Sequence, residues 1–129
     1  MEFIVGVHGL VRWLVVIVAV VAVVRYALVM AGKAQPSGMD RGLISGYTGL
    51  LDLNVLLGVI IIIGLGEWEM AQIEHMTTNI IGVVVAHIFA QRAKKIEDPK
   101  IKARTNLLGV VISLLIIVVG VALVGGWAR

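Results

Sequence analysis

Along this chain the apolar positions neither alternate nor recur on a single face. They run almost unbroken through four stretches, about residues 4–31, 43–65, 76–91 and 106–127. A helix needs about 20 predominantly apolar residues to cross the hydrocarbon core of a bilayer. The first, second and fourth stretches meet that length, and the third is near its lower limit. The pattern predicts an all-α integral membrane protein with helices at about 5–31, 43–65, 75–92 and 106–127, forming one domain over residues 1–129. Turn-forming composition separates the runs: Gly32 and the segment Lys33-Ala34-Gln35-Pro36-Ser37-Gly38, then Gly64-Leu65-Gly66, then the charged segment 92–105. Short connections of this kind predict an antiparallel up-down four-helix bundle.

Composition sharpens the class. The 129 residues are 60% hydrophobic and only 15% charged, with a mean hydropathy of +1.03, whereas soluble domains are nearer half apolar and a quarter charged. Little chain is left for a soluble module, so a stand-alone enzyme built on one is excluded. With no cysteine there are no disulfides, no iron–sulfur ligands and no covalent haem attachment. The start of the chain has Glu2 as its only early charge and no basic segment before the apolar run, so the first helix is expected to be retained rather than cleaved as a leader.

Charge gives a direction. Eight of the eleven Lys and Arg lie at the connections between helices one and two and between three and four: Lys33, Arg41, Arg92, Lys94, Lys95, Lys100, Lys102 and Arg104. By the positive-inside rule these loops are cytoplasmic and both termini lie outside. Trp13, Trp68 and Trp127 then fall at the outer interface and Tyr47 toward the inner one, as aromatic belts do. The expected location is a bacterial cytoplasmic membrane, multi-pass, with lipids as the immediate partners. The basic residues are juxtamembrane and lack interleaved aromatics, so nucleic acid is not expected as a partner. Small residues at spacings of three or four, among them Gly42, Gly46 and Gly49 on helix two and Gly109, Gly120 and Gly125 on helix four, predict close packing of helices in lipid.

Polar groups inside a membrane are costly, so each one is a functional candidate. His8 and His75 lead. Both stand near the start of helices that run in the same direction, so they share the outer third of the bundle, and helices one and three are diagonal in a square arrangement. Two imidazoles facing across the core suit the axial positions of one haem iron, since cofactor sites in bundles are built from facing helices. Asn79, Gly82 and Ala86 lie within about 40° of His75 on the helix, and Gly82 removes a side chain where a flat ring would press. Arg12, one turn beyond His8 on the same face, is placed to pair with a propionate; its other reading is a side chain reaching to headgroups beside Trp13. Met76 offers a thioether that its neighbour His75 makes redundant. Glu74 suits a helix start, where the dipole favours a carboxylate.

His87 stands 12 residues after His75, a rotation of about 120°, so it faces elsewhere, and the chain has three histidines in all. A second bis-histidine haem is not expected. Asp52 lies at comparable depth, which suggests an Asp52–His87 hydrogen bond, as interhelical glue or as part of a proton path.

At His8-Gly9-Leu10-Val11-Arg12-Trp13, Asp40-Arg41 and Glu74-His75-Met76 the chain resembles a group of small four-helix bacterial membrane proteins described as cytochrome b-like. Their pattern is H-x-G-L-R-W opening helix one, a basic first loop, and E-H with a nearby methionine opening helix three. Here the first motif reads H-G-L-V-R-W, with a shifted glycine. The resemblance implies His8 and His75 as haem-associated positions and supplies no substrate. Members carry a histidine near the position of Asp52 or Leu53, which this chain lacks, and that too speaks against a second haem.

The leading expectation is a membrane protein with one haem b near the outer face. It would be an electron carrier between a quinone and an outer-side redox partner, or a small haem subunit of a respiratory or photosynthetic complex, rather than an enzyme in its own right. Other membrane subunits or a second copy are the expected protein partners. The alternative is a cofactor-free accessory subunit. A small transporter using Asp52, His87 and Glu74 ranks last, for want of broken helices or inverted repeats.

Overall fold

A computed structural model describes residues 2–66 and 69–122. It contains four helices and, among the described residues, no strand: α1 Glu2–Met30, α2 Gly38–Leu65, α3 Met70–Lys94 and α4 Pro99–Ala122. Each is long and apolar enough to cross a membrane. At 1.5 Å per residue they span roughly 36–44 Å, more than the roughly 30 Å hydrocarbon core. The expected all-α fold with four membrane-spanning helices is therefore the observed architecture. Trp68, Gly125, Trp127 and the expected end of the fourth helix lie outside the described residues.

The helices overrun the apolar stretches because local chemistry, not hydropathy, ends them. Helix α2 begins five residues before its apolar run. Ser37 caps it, its Oγ accepting from the Met39 amide at 3.3 Å while Asp40 Oδ2 accepts from the Ser37 amide at 3.0 Å, the reciprocal arrangement of a capping box. Gly66 closes α2 in the left-handed conformation at φ 67°, donating its N–H to the Ile62 carbonyl. Helix α4 starts inside the basic segment, not at 106. Pro99 is its first residue, a position that needs no N–H, and Asp98 Oδ1 accepts from the amides of Lys100 and Ile101 at 2.9 and 3.3 Å. Most of the expected second basic loop is thus a turn of helix.

Neighbouring pairs are α1–α2, α2–α3, α3–α4 and α4–α1. This makes a square in which α1 and α3 are diagonal. Helix α3 packs most extensively on α4, and the α2–α3 seam is the most open. On α1 the buried residues Val11, Val15, Ala19, Ala22, Tyr26 and Val29 recur every three or four positions, a single helical stripe facing inward. Leu10, Ile17, Val20, Val24 and Leu28 on its other face are exposed, as a lipid-facing surface requires. In the middle of the bundle, Tyr47 crosses the α2–α4 diagonal and makes a 2.7 Å hydrogen bond between its hydroxyl and Ser113 Oγ, both side chains fully buried. Ala19, Ala22, Ala86 and Val110 close the same layer at 0–1% exposure.

Three glycines hold α3 against α4. A Cβ on Gly82 would stand 2.8 Å from Ile117 Cγ1, one on Gly109 would stand 2.5 Å from Phe89 Cβ, and one on Gly120 would stand 2.6 Å from Asn79 Oδ1. Gly42, Gly46 and Gly49 have nothing within 4 Å of that position. The small residues of α4 therefore pack as expected in lipid, whereas those opening α2 face outward.

At the basic end, Arg25 ties α1 to the start of α2. Its Nε donates to Asp40 Oδ1 at 2.7 Å, and its Nη2 donates to the Gln35 carbonyl and to Ser37 Oγ, while the Tyr26 hydroxyl donates to the Asp40 carbonyl at 2.7 Å. Both partners of the ion pair are largely shielded, at 15% and 20% exposure. Charge-assisted bonds of this kind contribute about 1.5–3 kcal/mol. Arg25→Ala is expected to lower stability in mixed-micelle unfolding by that amount, and Arg25→Lys, which keeps the charge but not the fork, to recover only part of it. Equal stability of all three proteins would show that the α1–α2 connection is held by other contacts.

Candidate functional site

Helix α3 is where the polar residues concentrate, and its first three turns build one wall of a cavity of about 310 Å³. The opposite wall comes from the first turns of α1, with His8 and Arg12, and the third from α2, with Asn54 and Gly58. From α3 come Gln72, His75, Met76 and Asn79. Spacings of three and four put these side chains on one face: 8 and 12, 54 and 58, and 72, 75, 76 and 79. The volume is at the lower end of the range for ligand pockets, and the loose α2–α3 seam forms one flank.

The geometry fixes the state of His75. Its Nδ1 lies 2.8 Å from the Gly120 carbonyl oxygen on α4. A carbonyl only accepts, so the ring proton is on Nδ1 and Nε2 carries the free lone pair. That Nε2 accepts from Asn79 Nδ2 at 3.2 Å, one turn further along the same helix. A histidine with Nδ1–H held on a backbone carbonyl is the arrangement that orients Nε2 as a metal ligand. His8 rests against α2, its Cε1 3.5 Å from where a Gly58 Cβ would stand, with Asn54 as its hydrogen-bonding neighbour on that helix.

Two residues that line this cavity, Gln72 and Asn79, carry buried amide oxygens without a hydrogen-bond partner. Buried polar groups are nearly always satisfied, and leaving one unsatisfied costs about 1–3 kcal/mol. Two such atoms on lining residues suit a cavity with a polar occupant. Among the described residues there is no group of three or more His, Cys, Asp or Glu side chains that could hold a metal ion.

Of the five residues expected at the site, four line the cavity: His8, Arg12, His75 and Asn79. Gly82 does not. Its missing side chain makes room for Ile117 and for the Ser113 carbonyl of α4, because α3 turns that face toward its closest neighbour. Ala86 follows it into the core at 1% exposure. Asn54, an intramembrane polar residue expected to satisfy a neighbouring helix, lines the site as well, and Gln72 and Gly58 join it unannounced. The signal was the i, i+4 pair 54/58 and the position of Gln72 three residues before His75, each legible as a stripe once the neighbouring helix is known.

His87 and Asp52 are brought together, Nε2 to Oδ1 at 2.8 Å. Their side chains are 44% and 52% exposed, on the outside of the α2–α3 seam, and they line neither this cavity nor the one at the basic end. The pair bridges two helices across their loosest seam.

The chain matches no protein-family model, no curated protein and no solved structure. The cytochrome b-like resemblance thus rests on its own few residues, and the cavity must be read from its chemistry.

Proposed function

We propose that the protein is a membrane carrier of one b-type haem, held between His8 and His75 near the outer face of a bacterial cytoplasmic membrane. The observation that carries this reading is the convergence of the two histidines, from diagonal helices, on one cavity whose other polar lining residues are Arg12, Asn54, Gln72 and Asn79. The haem would supply one-electron redox chemistry. His75 presents Nε2 once the Asn79 amide gives way, its ring oriented by the Gly120 carbonyl. His8 supplies the second imidazole, and Arg12 the cation that neutralises a propionate. Asn54, Gln72 and Asn79 offer polar contacts to the rim. The α2–α3 seam gives an edge toward lipid, where a quinone or a neighbouring subunit would approach. By charge, both termini face outside and the basic end faces the cytoplasm.

The test is the reduced-minus-oxidised visible spectrum of the detergent-purified protein from haem-replete cells. A sharp low-spin b-type α band at about one haem per chain is expected, lost in His8→Ala and in His75→Ala and kept in His87→Ala. A colourless protein, or a band indifferent to His8 and His75, overturns the assignment.

One observation favours a second reading, a cofactor-free accessory subunit. Both nitrogens of His75 already have partners within the bundle, Gly120 and Asn79, as interhelical glue would. On that reading Asn79→Ala destabilises the protein and leaves no spectroscopic trace.

A further inference from the structure

A second cavity, of about 280 Å³, lies at the opposite, basic end of the bundle. The closed layer around Tyr47 and Ser113 separates it from the histidine site. Its wall includes the cations Arg41, Lys94 and Lys102 and two carboxylates, Asp40 and Glu97. Asp40 is already committed, to Arg25 through one oxygen and to the Ser37 amide through the other. Three cations therefore face one uncommitted carboxylate. At the floor is Asn106, 96% buried, whose Oδ1 has no hydrogen-bond partner. It sits one turn from Lys102 on α4, on the same helical face. Val29, Ile44 and Ala90 supply an apolar side to the cavity.

These features ask for different parts of one molecule. Excess positive charge at a membrane surface selects an anion, and phosphate accepts from Arg and Lys readily. An amide oxygen buried beneath the cations needs a donor, which a phosphate diester does not have but a hydroxyl beside it does. We propose that this cavity binds a phosphodiester headgroup bearing a hydroxyl, the phosphate among Arg41, Lys94 and Lys102 and the hydroxyl donating to Asn106 Oδ1. The chemistry is shared by a glycerol-headed anionic phospholipid and by its water-soluble deacylated headgroup. This site is independent of the haem reading, and its test does not use the haem.

Native mass spectrometry of the delipidated full chain measures it, with phosphatidylglycerol, phosphatidylethanol (the same charge without headgroup hydroxyls), phosphatidylcholine and soluble glycerophosphoglycerol as probes. Phosphatidylglycerol is expected to bind about tenfold more tightly than phosphatidylcholine and about fivefold more tightly than phosphatidylethanol. Arg41→Gln with Lys102→Gln lowers that affinity about tenfold. Lys33→Gln with Lys95→Gln, which removes equal charge from the same end but outside the cavity, changes it less than about twofold. Asn106→Leu keeps charge-dependent binding and abolishes the preference over phosphatidylethanol. If glycerophosphoglycerol binds with the same dependence on the variants, the source is soluble; if only the lipid does, the source is the membrane. Equal losses in the two charge pairs, or a hydroxyl preference that survives Asn106→Leu, would overturn the proposal, and binding of no probe would do so as well.

Discussion

Gly109→Ala lowers the stability of the bundle by about 2 kcal/mol, the opposite of what this substitution does in an ordinary helix. Within a helix, replacing glycine by alanine normally stabilises by roughly 0.5–1 kcal/mol, because the unfolded chain loses freedom. Gly46 is the internal control. It lies in α2, exposed, with nothing within 4 Å of the position a Cβ would take, and Gly46→Ala is expected to give that ordinary gain. At Gly109 the same Cβ lands 2.5 Å from Phe89 Cβ and 3.1 Å from Phe89 Cγ. The first of these atoms is fixed to the α3 backbone and no rotamer moves it away. Helices α3 and α4 must then separate, and overpacking of this kind costs about 1–3 kcal/mol. The double variant gives a sharper discrimination. Phe89→Ala retains the clashing Cβ and does not rescue Gly109→Ala, whereas Phe89→Gly removes it and recovers part of the loss after its own propensity cost of about 1 kcal/mol. Unfolding by increasing SDS fraction in mixed micelles reads the four variants against the wild type. A Gly109→Ala protein as stable as the wild type would mean that α3 and α4 do not approach this closely.

That contact also marks where sequence reasoning stops. The four apolar runs translate directly into four helices, because lipid tolerates no unpaired backbone and only a helix satisfies it within one segment. Short connections then force neighbours in sequence to be neighbours in space, which places α1 and α3 on the diagonal and brings His8 and His75 to one cavity. Rotation about each helix axis is a different matter. In a soluble helix the apolar stripe marks the buried face, but in lipid both faces are apolar. The outward Ile17 and Val20 and the inward Val11 and Val15 belong to the same run. Gly82 was therefore expected toward the ring of a cofactor and instead meets Ile117, and Gly42, Gly46 and Gly49 were expected to pack and face outward. Polar residues carry the rotation better. Once His75 is fixed, Gln72 and Asn79 follow from helical spacing, and Asn54 follows from needing an interior. Helix ends were misplaced for a further reason: α2 and α4 continue past the hydrocarbon as capped, charged turns that hydropathy does not register.

The architecture divides the protein into three layers. Two cavities of different character, one holding histidines and amides and one lined by more cations than carboxylates, are separated by the buried side chains of Ala19, Ala22, Ala86 and Val110 and the Tyr47–Ser113 bond. A packed apolar layer of this kind keeps the polar chemistry of each cavity apart from the other. It is no obstacle to an electron carrier whose chemistry stays at one end, nor to a lipid that anchors the other.

Gly120→Val unseats His75 without touching it. The Gly120 carbonyl oxygen accepts a hydrogen bond from His75 Nδ1–H, 2.8 Å from the nitrogen, and the absent side chain leaves space for Asn79 Oδ1 and for Thr78, which a Cβ would approach to 2.6 and 3.2 Å. A branched side chain there collides with Asn79 and Thr78 and pushes the first turns of α3 away from α4, lengthening the Nδ1–carbonyl bond. Loss of such an orienting bond lowers metal affinity about 10–100-fold, so haem titration of Gly120→Val is expected to show weakened binding in that range while the four-helix circular dichroism persists. A second readout is independent of haem. In nitrogen-15 spectra of histidine-labelled protein, the wild type shows His75 as a single tautomer with its proton on Nδ1, and Gly120→Val shows averaging between the two ring nitrogens. Gly58→Val, on the opposite wall where His8 Cε1 already stands 3.5 Å from the Cβ position, perturbs His8 and leaves the His75 signal in place. If Gly120→Val leaves both the His75 tautomer and the haem affinity unchanged, the carbonyl is not what orients this ring, and the two-histidine site loses its best-defined half.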